Sequence, residues 1–197
     1  MNKKNKKTVL ISGLLMLVLI AFDQLTKYLA VVFLKDKPSI PIIDQVFELR
    51  YLENTSAAFG MDPISFLHNI FHFEIFIQNP QLYLNIRMGF FYILTIVMVS
   101  LFIWLFFRIP SQRRYVFIDY ILIFLSAGAI GNLIDRMSQQ YVIDFLYFKL
   151  IDFPIFNVAD IYVTCSAIAV LILGIFYYKD EDFDLIFPTK KTKKDNE

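Results

Sequence analysis

Four long apolar runs decide most of what this chain can become: residues 9–34, 86–107, 115–134 and 158–178. Each approaches the roughly 20 apolar residues that a helix needs to cross a bilayer. In hydrocarbon every backbone N–H and C=O must find its partner inside the protein, so such runs are stable there as helices. The composition is 57% hydrophobic, and it is blocked rather than spread periodically as in a soluble domain. The expected fold is of the membrane α class, one polytopic domain over residues 1–197. Four transmembrane helices alternate with outer segments at 35–85 and 135–157, and a tail follows at 179–197.

The first run follows Lys3, Lys4, Lys6 and Lys7. Basic residues before an apolar stretch also describe a cleavable leader, but the run continues to Leu34 without an obvious small-x-small site, so an uncleaved helix is expected. Its polar break is Asp23-Gln-Leu-Thr-Lys27. Asp23 and Lys27 are four apart, share a helix face and can neutralise each other. Twelve of the nineteen Lys and Arg fall in three segments: the N-terminus, residues 108–114 and the tail after Tyr178. If all four helices span, those segments share one side, which the positive-inside rule makes cytoplasmic. Both termini are then inside, and Trp104, Tyr115, Tyr177 and Tyr178 sit at the cytoplasmic interface.

In the first outer segment, Pro38 and Pro41 open a stretch in which residues 45–52 partly alternate like a strand with one wet face. Residues 64–77, rich in Phe and Ile with polar interruptions, fit an amphipathic helix on the membrane surface. In the second, Gly128-Ala-Ile-Gly131 closes the third helix with small residues that let helices approach. Asn132, Asp135 and Arg136 follow at the surface, and residues 141–148 form an apolar strand-like run interrupted by Asp144. Asn157 is the expected N-cap of the fourth helix. Cys165, the single cysteine, reads as a small packing residue between helices. The charged tail 190–197 reads as a segment touching anionic lipid.

Four outer acids compete for chemistry: Asp135, Asp144, Asp152 and Asp160. Asp135 precedes Arg136, a neighbouring partner that argues for a structural role. Asp152 lies in a loop and is open to solvation. Asp144 is flanked by Ile143 and Phe145, where desolvation raises a carboxyl's pKa. Asp160 stands three residues after Asn157, where an acid stabilises a helix start whatever else it does. Spacing alone leaves the choice open. Were Asp144 and Asp160 to converge, one ionised and one protonated carboxyl could activate water against an amide, with no metal or cofactor.

His68 and His72 are four apart, but the glutamate a zincin requires after the first His is missing and no third ligand is evident. Interfacial histidines are expected, and no metal site. The basic residues form flanks rather than a readout face, so no nucleic acid partner is expected.

Taken together, Gly131-Asn-Leu-Ile-Asp-Arg136, Val142-Ile-Asp-Phe145 and Phe156-Asn-Val-Ala-Asp160 resemble the motifs of bacterial lipoprotein signal peptidases (signal peptidase II). So do Asp23-Gln-Leu-Thr-Lys27 and Asn54-Thr-Ser-Ala-Ala-Phe59. The resemblance implies a four-helix inner-membrane aspartyl endopeptidase. It implies removal of signal peptides from prolipoproteins just before a cysteine that already carries diacylglycerol. On that model Asp144 and Asp160 are catalytic, and Asn54, Asn132, Arg136 and Asn157 position substrate and dyad. Asp23, Lys27 and Asp135 are structural, and residues 45–52 belong to a small outer β-cradle. The expected partners are the lipidated precursor and membrane lipid, with the enzyme a monomer. Two departures stand out: Ser56 replaces a usual glycine, and residues 61–85 are longer than usual. An intramembrane protease of the presenilin type would need a Gly-x-Gly-Asp setting inside a helix, which is absent. A proton-coupled transporter would spread its acids along a path, and a non-catalytic assembly factor would cleave nothing.

Overall fold

The computed structural model describes residues 4–55, 63–71 and 74–186. In chain order it runs α1 (Lys6–Leu34), β1 (Ile40–Ile43), β2 (Phe47–Asn54), α2 (Pro63–Phe71), α3 (Glu74–Gln78) and α4 (Pro80–Arg108). Then come α5 (Val116–Gln139), β3 (Val142–Phe148), α6 (Val158–Phe176) and α7 (Asp180–Ile186). Helices α1, α4, α5 and α6 are each long and apolar enough to cross a membrane. Leu10, Leu14, Leu17, Ile93, Val97 and Phe176 stand exposed on them, an apolar surface suited to lipid rather than water.

Helix α5 is the centre: α1, α4 and α6 all pack on it. Its small residues explain how. A methyl group at Gly128 would lie 2.6 Å from the Ala159 carbonyl oxygen, and one at Gly131 would lie 2.5 Å from Asp23 Oδ2. Only glycine leaves α6 and α1 room at those points. An apolar cluster of Phe106, Ile109, Tyr115, Leu122, Ile123 and Tyr178 fills one end of the bundle. A second, Ala30, Leu34, Ile143 and Phe145, joins α1 to the sheet at the other end.

The sheet is antiparallel in the order β1-β2-β3, with Leu52 opposite Asp144 and Asn54 opposite Val142. The strand expected over 45–52 lies two residues later, because Gln45 takes a left-handed φ of 56° in the turn from β1. Strand β1 was not anticipated. Its Pro41 is accommodated because an edge strand needs no donor on its outer side.

The helices also outrun the hydropathy runs. Helix α4 begins at Pro80, whose missing N–H is no loss in a first turn, and α5 continues to Gln139. Asn132, Asp135 and Arg136 therefore lie inside α5, not after it, and Asp135 is buried. Residues 64–77 fall in α2 and α3, the chain between them lying outside the described residues, as do the His68 side chain, His72, Ser56 and the tail 187–197. Cys165 is exposed rather than packed between helices. Tyr115 and Tyr178, at the ends of α5 and α6, are buried and stacked on each other.

Candidate active site

Asp144 and Asp160 come to share Asn157 because the chain after β3 folds back on it. Phe145 N and Leu146 N both donate to the Phe156 carbonyl, at 3.0 and 2.8 Å, and Phe156 N returns a bond to Leu146 O at 3.0 Å. That bridge sets Asn157 beside Asp144. Asn157 is extended (φ −130°, ψ −176°) and caps α6 in a full capping box: Asp160 N donates to its side chain, and its own N–H donates to Asp160 Oδ2 at 3.1 Å. The remaining face of the Asn157 amide donates to Asp144 Oδ1 at 2.6 Å. One asparagine side chain thus contacts both acids' residues.

Two further amides complete the arrangement. Asn54, at the end of β2, donates to Asp144 Oδ2 at 2.7 Å. Asn132, on α5, donates to Asp160 Oδ1 at 2.9 Å, while its own oxygen accepts from Lys27 at 2.9 Å and from Asn157 at 3.1 Å. Asp144 is 1% and Asn157 0% exposed, so these bonds form away from water, where an unmade one would be expensive.

Lys27 is the hinge of the charged part. Its ammonium pairs with Asp23 at 2.9 Å and with Asp135 at 3.1 Å, and all three side chains are almost wholly buried. Asp135 therefore takes its cation from α1, not from the adjacent Arg136, because successive helical residues point to different faces. It also accepts from Ile143 N at 3.1 Å, tying α5 to β3. Asp23 accepts from Ala159 N at 3.0 Å, tying α1 to the first turn of α6. The Asp23–Lys27 pair does more than support its own helix: it ties α1 to α5 and α6 beside Asp144 and Asp160.

Burial first, and then the negative charge of Asp160, push the Asp144 carboxyl up to about 7, against the opposing pull of Asn54, Asn157 and Lys27. Two such carboxyls with one proton between them can supply a base and an acid at once. Asp152 stands apart, exposed, accepting from Tyr147 Oη at 2.5 Å.

Three residues around the site escaped the reading of the sequence. Gln24 donates to Asp135 at 3.0 Å and to the Gly131 carbonyl at 3.1 Å. Tyr92 donates to the Arg136 carbonyl at 2.9 Å. Arg87 is buried on α4 and donates to the Thr55 carbonyl. Only Arg87 left a usable signal, a lone cation at the mouth of an apolar run.

The model of the family described as Signal peptidase (SPase) II matches residues 15–176. A lipoprotein signal peptidase of Caldanaerobacter subterraneus subsp. tengcongensis is 38% identical over 165 residues, 81% of this chain and 95% of that protein. One from Clostridioides difficile is 30% identical over 164 residues, 83% of this chain and 94% of that protein. A solved bacterial membrane enzyme, determined by the in meso method at 1.9 Å resolution, is similar with a TM-score of 0.66 and 28% identity, covering 90% of this chain and 99% of that one. The matched region reaches into all four long helices and carries every motif from Asp23 to Asp160, and the chain belongs to the signal peptidase II family of membrane peptidases.

Proposed function

We propose that this chain is an aspartyl endopeptidase that removes signal peptides from diacylglyceryl-modified prolipoproteins, cutting before the lipidated cysteine. The observation that carries the reading is the buried junction at Asn157, whose amide serves Asp144 while its backbone and side chain hold Asp160. The relatives' shared description as lipoprotein signal peptidases supports the choice of substrate.

In this reading Asp160 carries the charge, since it sits in the first turn of α6, where the helix dipole and donated hydrogen bonds favour an anion. Asp144 keeps the shared proton. Asp160 takes a proton from water as the water oxygen attacks the scissile carbonyl carbon. The Asp144 proton meanwhile hydrogen-bonds the carbonyl oxygen, which becomes the oxyanion of the tetrahedral intermediate. On collapse the C–N bond breaks, and the proton held by Asp160 passes to the leaving amine. Asn54, Asn132, Asn157 and Arg136, the last lying over the Phe91 ring, hold the dyad and the substrate backbone.

Lysine and arginine distribution sets both termini in the cytoplasm and the dyad near the outer face of a bacterial inner membrane. The protein acts as a monomer. Exposed Phe66, Ile70, Ile75 and Ile77 on α2 and α3 would lie in the interface beside the incoming lipidated segment.

Asp144→Asn and Asp160→Asn keep size and remove the exchangeable acid. Each should lower cleavage of a diacylglyceryl-modified precursor by about 10³-fold or more, at matched amounts of folded enzyme. Near wild-type turnover by either variant would refute the aspartyl mechanism.

A further inference from the structure

We infer that Arg87 is a positioning residue for the proposed cleavage, acting on Asp144 through Thr55 and Asn54. The inference rests on the dyad reading above. Arg87 lies about two turns into α4, which begins at Pro80, and is only 8% exposed. A guanidinium at such depth is stable only with defined partners. One face lies over the Tyr83 ring, its (i, i+4) neighbour, at 5.9 Å. A terminal N–H donates to the backbone carbonyl of Thr55, thirty-two residues earlier.

The position of that carbonyl gives the contact its meaning. Thr55 directly follows Asn54, the last residue of β2, which pairs with Val142 and gives its amide to Asp144 Oδ2. Among the described residues helix α4 packs chiefly on α5 and α3. Arg87 is thus the link by which α4 fixes the end of β2 and, with it, the angle at which Asn54 meets the acid. Lysine could also reach a carbonyl, but it lacks the flat face that stacks on Tyr83 and the paired N–H groups that set direction.

A role of this kind has a readout that mere support lacks. Asn54 donates to the charged form of Asp144, so loosening it raises that acid's affinity for its proton. The other groups acting on Asp144 come from other elements: Asp160 and Asn157 at the start of α6, Lys27 on α1 and Arg136 on α5. Arg87→Met keeps each of those residues but removes the positive charge that Arg87 sets against Arg136, so Arg87→Lys, which retains that charge, separates lost positioning from lost charge.

The test uses the full chain in lipid vesicles with a diacylglyceryl-modified precursor peptide, at matched amounts of folded enzyme. Arg87→Met should lower kcat roughly 10- to 100-fold, the loss expected for a misplaced catalytic group, with KM little changed. Its alkaline pH limb should move upward, and Arg87→Lys should recover part of the loss. In an Asn54→Ala background Arg87→Met should add nothing further. Independent, multiplying losses from the two substitutions, or an unmoved pH limb, would overturn the inference. Should Arg87→Met fail to accumulate, Arg87→Lys must still shift the limb in the same direction. Asp144→Asn run in parallel separates the two failures. If it cleaves, the dyad reading falls; if it is dead while both Arg87 variants keep wild-type kcat and pH profile, only the role of Arg87 falls.

Discussion

At the end of the bundle that carries the described termini, each buried acid has a cation of its own. Asp119 pairs with Lys4, and Asp182 takes Arg114 by two bonds of 2.7 and 2.6 Å with Tyr115 Oη beside it at 2.8 Å. At the sheet end four acids gather, Asp23, Asp135, Asp144 and Asp160. Lys27 pairs directly with the first two, while the other two are served mainly by asparagine amides. Amides satisfy lone pairs without cancelling charge. The consequence is opposite in sign for Asp182 and Asp144. The bonds from Arg114 hold Asp182 well below the usual carboxylate range, whereas burial and Asp160 push Asp144 up to about 7. Asp182 is held as an anion that fastens the fold, whereas Asp144 is left with a raised affinity for its proton.

Beyond loss of the dyad itself, the substitution that should break this contrast most severely is Lys27→Met. It strands Asp23 and Asp135 without their ammonium in the interior, a change worth about 3–5 kcal/mol. Little folded protein should accumulate, as measured by thermal unfolding of what can be purified. A stable, active Lys27→Met enzyme would show that the acids at the sheet end do not depend on it.

Titration is the next lever. Asp144 keeps its proton to about 7 when folded and has an ordinary value of 3.8. Activity that needs the shared proton should fall, by about tenfold per pH unit, as pH rises through that value. Linkage gives the same sign for stability: between those two values the folded state binds the extra proton, so raising the pH weakens the fold. A cleavage rate rising steadily from pH 6 to 9 would contradict the assignment of the proton to Asp144.

Gly131→Ala sharpens the comparison from the packing side. Its methyl would press on Asp23 Oδ2, and overpacking of this kind costs about 1–3 kcal/mol. The melting temperature should drop. Gly13→Ala, where a methyl meets nothing within 4 Å, is its control and should leave the melting temperature level or slightly raised, since alanine favours a helix interior over glycine.

The smallest effect on chemistry belongs to the opposite end. Asp182→Asn should lower the melting temperature by removing the charge and one of the two oxygens that accept from Arg114, Tyr115 and the Lys179 backbone, yet leave cleavage per folded enzyme unchanged. A selective loss of kcat would mean that the two ends are coupled.

Much of this molecule was legible in its letters. Hydropathy is a local, nearly additive property, so four runs were enough to announce four helices, and the motifs around Asp23, Asn132, Asp144 and Asp160 were enough to suggest the family. Capping is local too, and Asn157 with Asp160 could be read as a helix start from three residues of spacing. Partner choice is not local. That Asp135 turns to Lys27 rather than Arg136, that α5 runs on past its apolar stretch, that Asn54 reaches Asp144 from 90 residues away, and that Arg87 grips the end of β2 were decided only when the helices packed. Charge interactions depend on distance in space and on the water excluded around them, and neither is fixed until distant segments of the chain are brought together.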